Sequence, residues 1–540
     1  MEEPVTVLRP DRTSVTQLTP LLLLERAADV FPDKVAIIYR DRHLTYREFK
    51  ATTTTVGQAL LASGIGPGDR VAYLMPNLPE MLIAHSAVPL IGAMLVAINT
   101  RLAGSEIAYI LGHSGASILI VDSELYPVIA PHLGDLADLH EVVVADDVGA
   151  GIPDGATSYE EFLRRGSEDG LDYRVDDEHR PISINYTSGT TGRPKGVVYT
   201  HRGAYLNALA ELIHSRHHHG SVYLWTLPMF HCNGWCTTWA ISGIGGTNVC
   251  LRAVDAGVIW DLIGKQGITH LNAAPTVLIS LANHPAARPF GHTFTVTTAG
   301  APPSPTIIGQ MTDLGADVVH VYGLTETYGP YTVCEVQESW GASREQTVRL
   351  LARQGVAYLG ADPIRVVDEE MNDVSRDGAT MGEVVMRGNN VMAGYYDDPE
   401  ATDRAFRGGW FHSGDLAVWH PDGYIELRDR AKDIIISGGE NISTIEIEQA
   451  VASHPSVLEC AVVAMPHEHW GERPKAFVVL KPGAAADPAE IIEHVKSRLA
   501  KFKAPDVVDI VDALPKTSTG KIQKYVLREQ VWAGHEMRIN

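Results

Sequence analysis

Thr45-Tyr46-Arg47-Glu48, the run on to Gly64, and then Val71-Ala72-Tyr73-Leu74-Met75 decide the fold class. Thr45 and Glu48 have capping-box spacing, in which a hydroxyl and a carboxylate three residues on satisfy two free N–H groups. The spacing predicts a helix that opens at Thr45 and stops near Gly64. The apolar run that follows has no polar alternation, so it predicts a strand buried on both faces of a parallel sheet. Met94 to Ile98, Ser117 to Val121 and Val142-Val143-Val144 repeat that character between helical stretches. Alternating helices and buried strands imply a doubly wound α/β architecture, whose binding sites lie at the carboxyl ends of strands.

From Pro363 to Arg430 the pattern changes. Ile364 to Asp368, Glu383 to Met386 and Tyr424 to Leu427 alternate with turns such as Pro421-Asp422-Gly423, which predicts a small antiparallel β subdomain. After Asp433 the sequence predicts a smaller α+β unit. It has helices at Glu446 to Ala452 and Ala489 to Leu499, and strands at Ala461 to Ala464 and Ala476 to Leu480. With 540 residues the chain exceeds what one core accommodates, so at least two domains are expected. The boundaries read as 1–430, a hinge at 431–433, and 434–540.

A net charge of −22 disfavours nucleic acid and anionic membranes as partners. The most apolar stretch, Met81 to Ile98, is interrupted at Pro89 and reads as a buried helix and strand, not a membrane span. The start is acidic, without an apolar signal core, and the last residues do not form a peroxisomal signal. The five cysteines, Cys232, Cys236, Cys250, Cys334 and Cys460, are odd in number, which points to free thiols. The cytoplasm is the expected location. Cys232 and Cys236 lack a second pair at zinc spacing. Arg216-His217-His218-His219 reads as a solvated loop.

The segment richest in chemistry is Tyr186-Thr187-Ser188-Gly189-Thr190-Thr191-Gly192-Arg193-Pro194-Lys195-Gly196. Glycines let backbone N–H groups approach an anion closely, and hydroxyls and Lys195 add donors for phosphate oxygens. Gly196 follows Lys195 where a Walker loop has Ser or Thr, so a kinase-type site is disfavoured.

This segment resembles the phosphate loop of the ANL superfamily of acyl-CoA synthetases, peptide-synthetase adenylation domains and luciferases. Tyr322-Gly323-Leu324-Thr325-Glu326-Thr327 resembles its second core motif. Ser413-Gly414-Asp415 and Asp429-Arg430-Ala431-Lys432-Asp433 resemble the ribose and hinge motifs. Pro515 to Lys521 resembles the catalytic-lysine motif. All lie in family order.

The resemblance implies ATP, Mg²⁺ and coenzyme A as reactants and cofactors, and a small carboxylic acid as substrate. A homodimer stays open. It implies that Thr187 to Lys195 hold phosphates, that Glu326 binds Mg²⁺, and that Thr325 meets the α-phosphate. Tyr322 would face adenine, with Gly323, Thr327, Gly300, Ala301 and Pro302 lining the nucleotide. Asp415 and Arg430 would hold ribose. Lys521 would neutralise charge as the acid attacks the α-phosphate. Lys432 would be the hinge about which the smaller domain rotates, bringing Gly438, Gly439 and Glu440 to the coenzyme A passage. The acyl pocket would take His231, Trp235, Asn272, Ala273, Thr298, Ala299, Gly300, Gly323 and Gly329, with His231 gating its mouth. His231 stands where amino-acid-activating relatives carry Asp, so an amino-acid substrate is disfavoured. Phe230-His231-Cys232-Asn233-Gly234-Trp235 resembles ligases for short to medium, branched, sulfur-containing or aryl acids. The expected activity is therefore acyl-CoA synthesis through acyl-AMP. Alternatives are an adenylating enzyme that loads a carrier protein, a luciferase-like oxidation that no residue signals, and a non-catalytic protein that keeps the fold.

Overall fold

The computed structural model of the protein describes residues 15–167, 169–187, 193–340, 343–430, 432–438, 440–517 and 520–533. The capping box forms as the spacing predicts. Glu48 N–H donates to the Thr45 hydroxyl at 3.3 Å, and Thr45 N–H donates to Glu48 at 2.7 Å. The helix they cap is Tyr46–Ala62. It packs on the helix Pro79–Leu90, in which every residue but Glu80 is buried. Pro89 lies inside the last turn of that helix. The break before the strand Met94–Ala97 is made at Gly92, whose φ is +76°.

Among the described residues the strands form sheets of nine, eight, four and five members. Arg70–Leu74, Met94–Ala97, Ile118–Asp122, Glu141–Ala145 and Pro181–Tyr186 run parallel in the eight-stranded sheet. The antiparallel strands Gly196–Thr200 and Gly394–Tyr395 close one edge of it. The nine-stranded sheet is built around His270–Ala273, Phe294–Thr298 and Ala316–Leu324, again parallel. In the eight-stranded sheet Arg70–Leu74, Met94–Ala97 and Ile118–Asp122 are buried on both faces, which is why they read as unbroken hydrophobic runs.

The four-stranded sheet is antiparallel throughout. It contains Arg365–Val367, Met381–Met386, Phe411–Trp419 and Ile425–Arg430. The five-stranded sheet contains Ile435–Ser437, Glu440–Ile442, Val457–His467, Gly471–Leu480 and Val507–Ile510. The helices Thr444–Ala452 and Pro488–Lys496 pack on it around their own apolar core.

One expectation fails outright. Residues 216–219 are not uniformly solvated: His217 is buried, with its ring centroid 4.7 Å from that of His270. Its neighbours Arg216, His218 and His219 are exposed. The tract is too short for periodicity to reveal which ring turns inward.

Candidate active site

Three parallel strands of the nine-stranded sheet end side by side. Their carboxyl ends, Ala273, Thr298 and Leu324, deliver Ala274-Pro275, Ala299-Gly300 and Thr325-Glu326 to one place. This is the crevice where open parallel sheets bind ligands. The phosphate-loop segment approaches from the other sheet as the connection between Pro181–Tyr186 and Gly196–Thr200. Its neck is closed by Thr187 N–H donating to the Lys195 carbonyl at 3.0 Å and Lys195 N–H donating to the Thr187 hydroxyl at 3.3 Å. Ser188, Gly189, Thr190, Thr191 and Gly192 lie outside the described residues, as do Ala431 and Gly439.

Asp415 and Arg430 are cross-strand partners in the four-stranded sheet, which fixes them together. Arg430 Nε lies 3.3 Å from Asp415 Oδ1, and the Tyr322 hydroxyl donates to Asp415 Oδ2 at 2.7 Å. The Tyr322 phenol titrates far above its ordinary value, because it is buried and because the Asp415 charge and its hydrogen bond hold the proton on the phenol. Ser413-Gly414-Asp415 lies within the strand Phe411–Trp419, where the Ser413 hydroxyl donates to the Val384 carbonyl and accepts from Asp415 N–H.

Glu326 follows the last strand turn. Its Oε1 accepts a 2.9 Å hydrogen bond from the Tyr395 hydroxyl, and burial raises its carboxyl above the usual range. The same Tyr395 ring carries Lys195 Nζ 4.6 Å from its centroid. Tyr395 thus joins Lys195 to Glu326, and no local spacing around Tyr395 announces it. Tyr199 is a second residue the motifs miss: its hydroxyl donates to the Thr325 carbonyl, and its ring stacks on Tyr328 at 3.9 Å. Thr327, expected at the nucleotide, is fully buried. Its hydroxyl donates to the Gly329 carbonyl at 2.7 Å and accepts from Leu324 N–H at 2.9 Å, so it locks the turn.

Lys521 reaches this crevice from the far end of the chain. Burial lowers its pKa to about 8, and its charged neighbours are Arg430, Asp415, Asp433 and Lys524. His231 feels the Lys521 charge in turn. Burial first, and that charge second, lower the imidazole to about 4, so it is neutral at physiological pH. Behind His231 the chain takes left-handed conformations at Cys232, Asn233, Trp235 and Cys236. Asn233 holds this turn in place by accepting from Ser183 at 2.6 Å and from Asn185 at 2.5 Å.

The expected acyl-pocket residues divide. Trp235 and Ala299 share one apolar cluster with Cys232, Val319, Val321 and Tyr358. Gly329 lets Trp235 in: a Cβ there would lie 2.7 Å from the indole, at a φ of +97°. Asn272 turns to a buried polar network, donating to Glu211 at 3.1 Å and Thr237 at 3.2 Å. Ala273 packs in a different core, among Ile259, Leu278 and Ile307, and its register partner Thr298 is buried with an unpartnered hydroxyl. A strand shows alternate side chains to opposite faces, which a list of segments overlooks.

At the expected hinge, Asp433 pairs with Arg528, and burial lowers the Lys432 ammonium. Gly438 caps the hairpin between Ile435–Ser437 and Glu440–Ile442; its N–H donates to the Trp470 carbonyl at 2.9 Å, and Glu440 is exposed.

A family model described as "AMP-binding enzyme" matches residues 24–396, and one described as "AMP-binding enzyme C-terminal domain" matches residues 446–521. Acetate–CoA ligase CCL3 of Humulus lupulus is 46% identical over 546 residues, covering 96% of this chain and 96% of its own. Acetate/butyrate–CoA ligase AAE7 of Arabidopsis thaliana, peroxisomal by its name, is 43% identical, covering 95% of this chain and 94% of its own. Among solved structures, the anthranilate CoA ligase AuaEII in complex with anthranoyl-AMP superposes with a TM-score of 0.86 at 25% identity, covering 96% of this chain and 98% of that one.

Proposed function

The chain belongs to the AMP-binding enzyme family and is an AMP-forming acyl-CoA ligase, and from that premise we propose that its acid is short, in the acetate-to-butyrate class. The reaction joins a carboxylic acid to AMP at the expense of ATP and then passes the acyl group to coenzyme A. The observation that carries the residue-level reading is the burial of Lys521 at the crevice, where Asp415 and Arg430 are among the charges that act on it. A cation there offsets the charge crowded at the α-phosphorus when a carboxylate attacks it. Asp415 and Arg430 hold the ribose, and Tyr322 fixes the Asp415 carboxylate that does so. Neutral His231 stands at the mouth of the acyl pocket without adding a charge to the developing anion.

The donor set suits Mg²⁺. Glu326 is a single hard carboxylate beside a phosphate loop, and Mg²⁺ takes one or two carboxylates and fills its shell with phosphates and water. The ion would neutralise phosphate charge. Tyr395 orients the Glu326 carboxylate for that contact.

A short acid is supported by what stands behind Trp235 and Ala299. Val319, Val321 and Tyr358 close the apolar cluster, and the Tyr358 hydroxyl donates to buried Glu211 at 3.2 Å. A longer chain would have to displace that hydrogen-bonded layer. Thioester formation needs a thiol where Lys521 now stands, so we assign the second half-reaction to a rotated arrangement of residues 434–540 about Lys432. A cytoplasmic location accords with five unpaired, buried cysteines. No described helix is long and apolar enough to cross a membrane.

The test is pyrophosphate release across a panel of acids from acetate to aryl acids, with and without coenzyme A. Short acids should give pyrophosphate and, with coenzyme A, a thioester. Preference for long or aryl acids would overturn the assignment of the acid.

A further inference from the structure

Gly520 and Lys521 fold back on Thr517. Gly520 N–H donates to the Thr517 carbonyl at 2.9 Å, Thr517 N–H to the Lys521 carbonyl at 2.7 Å, and Lys521 N–H to the Thr517 hydroxyl at 3.1 Å. Lys516 and Ile522 pair as an antiparallel bridge at its base. These bonds give the turn its shape, but nothing in them says where the turn sits. A contact 244 residues away in sequence ties it to the crevice: the Thr276 hydroxyl donates to the Gly520 carbonyl at 3.1 Å.

Thr276 is well placed to aim that hydroxyl. It is the second residue of the helix Pro275–Ala282, which begins where the strand His270–Ala273 ends in the crevice. Pro275 at the first helical position fixes the entry angle of the chain. On the other side of the contact, Gly520 has a φ of +82°, and a Cβ built there would lie 2.5 Å from Thr276 Oγ1 and 3.7 Å from Ala274 Cβ. The approach is therefore closed to any larger residue at 520. Lys521 is the very next residue, so the bond is made one residue from the charge it positions.

We propose that Thr276 is a positioning residue for adenylate formation: its hydroxyl latches the Lys521 turn onto the crevice in the first half-reaction and is released for the second. This rests on the reading of Lys521 as the cation of the adenylation step. The bond exists only when Gly520 and Lys521 are docked at the crevice, so it stabilises that arrangement and has no counterpart once they have swung away. A bond present in one of two states shifts their populations by its own free energy and nothing more.

The experiment measures single-turnover rates of the two half-reactions separately: adenylate formation from acid and ATP, and thioester formation from supplied acyl-adenylate and coenzyme A. Thr276→Val keeps the shape and removes the donor. It should slow adenylate formation by about threefold to tenfold, the worth of one net hydrogen bond, and leave thioester formation unchanged or faster. Thr276→Ser keeps the donor and should restore the wild-type rate. Gly520→Ala drives a methyl group into the same contact and should reproduce the selective defect. The thioester rate doubles as the check on folding for every variant. Lys521→Ala, run alongside, separates the two readings. If Lys521→Ala is selective for adenylate formation while Thr276→Val slows both half-reactions equally, or neither, the latch is wrong and the lysine assignment stands. If Lys521→Ala is itself unselective, the underlying assignment fails and the latch falls with it.

Discussion

Replacing Tyr395 by Phe isolates one interaction at the centre of the site. The ring remains, so the contact with Lys195 Nζ at 4.6 Å is kept. What is lost is the 2.9 Å hydrogen bond to Glu326 Oε1. A hydrogen bond to a charged group contributes about 1.5–3 kcal/mol, which is about tenfold to hundredfold in rate if it acts on the transition state. A second effect runs in the same direction. Burial already raises the Glu326 carboxyl, and the Tyr395 hydroxyl opposes that shift. Without it the pKa rises further, so the carboxylate form is reached only at higher pH. Adenylate formation in Tyr395→Phe should therefore fall by that factor near neutrality, and more steeply as pH drops. Its ascending acid limb should move to higher pH, and more Mg²⁺ should be needed for half-maximal rate. The assay is rapid-quench measurement of pyrophosphate release at saturating acid, titrated with Mg²⁺ at several pH values. Wild-type rates and an unmoved acid limb would refute the role given to Tyr395 and, with it, the picture of Glu326 as a carboxylate held ready for a cation.

Two further outcomes follow from buried ionisable groups. Lys521, lowered to about 8, loses its proton above that pH; kcat/KM for adenylate formation should fall on a limb near pH 8, measured by pyrophosphate release, and Lys521→Arg should move that limb upward because arginine stays charged. Glu211 accepts from Ser215 at 2.8 Å, Asn272 at 3.1 Å and Tyr358 at 3.2 Å while fully buried. Glu211→Leu strands those donors and should cost about 2–4 kcal/mol by denaturant unfolding. Burial raises the folded pKa of Glu211, so the contribution of Glu211 to stability is full below the unfolded glutamate pKa and is lost as pH rises through the folded one. Glu211→Gln, which cannot ionise, should show a flatter profile.

The reading from sequence succeeded where function leaves a local mark. Helix caps are such a mark, and Thr45 and Glu48 close as their spacing requires. So are short runs that are apolar on both faces, and Arg70–Leu74, Met94–Ala97, Ile118–Asp122 and Glu141–Ala145 stand within a residue or two of where those runs predict. Motif order put Glu326, Asp415, Arg430 and Lys521 at one crevice although about 200 residues separate the first from the last. What stayed hidden is whatever depends on register or on packing between distant segments. Tyr395 meets Glu326 because a two-residue edge strand pairs with Gly196–Thr200, a pairing too short to leave a periodic signal. Thr276 meets Gly520 only through the docking of one part of the chain on another. Thr327 carries a hydroxyl in a nucleotide motif yet spends it on its own turn. Asn272 and Ala273 are neighbours in sequence, but the strand sends one to a polar network and the other to an apolar core.

The central claim is that a carboxylate oxygen attacks the α-phosphorus of ATP at the place where Lys521, Asp415 and Arg430 converge. Turnover of an acid labelled with heavy oxygen in its carboxyl group tests it most directly, with mass analysis of the nucleotide and phosphate products. The label should appear in the phosphate of AMP, one carboxyl oxygen per turnover, with none in pyrophosphate. Label in inorganic phosphate alongside ADP, or AMP without label, would mean that no acyl-adenylate is formed.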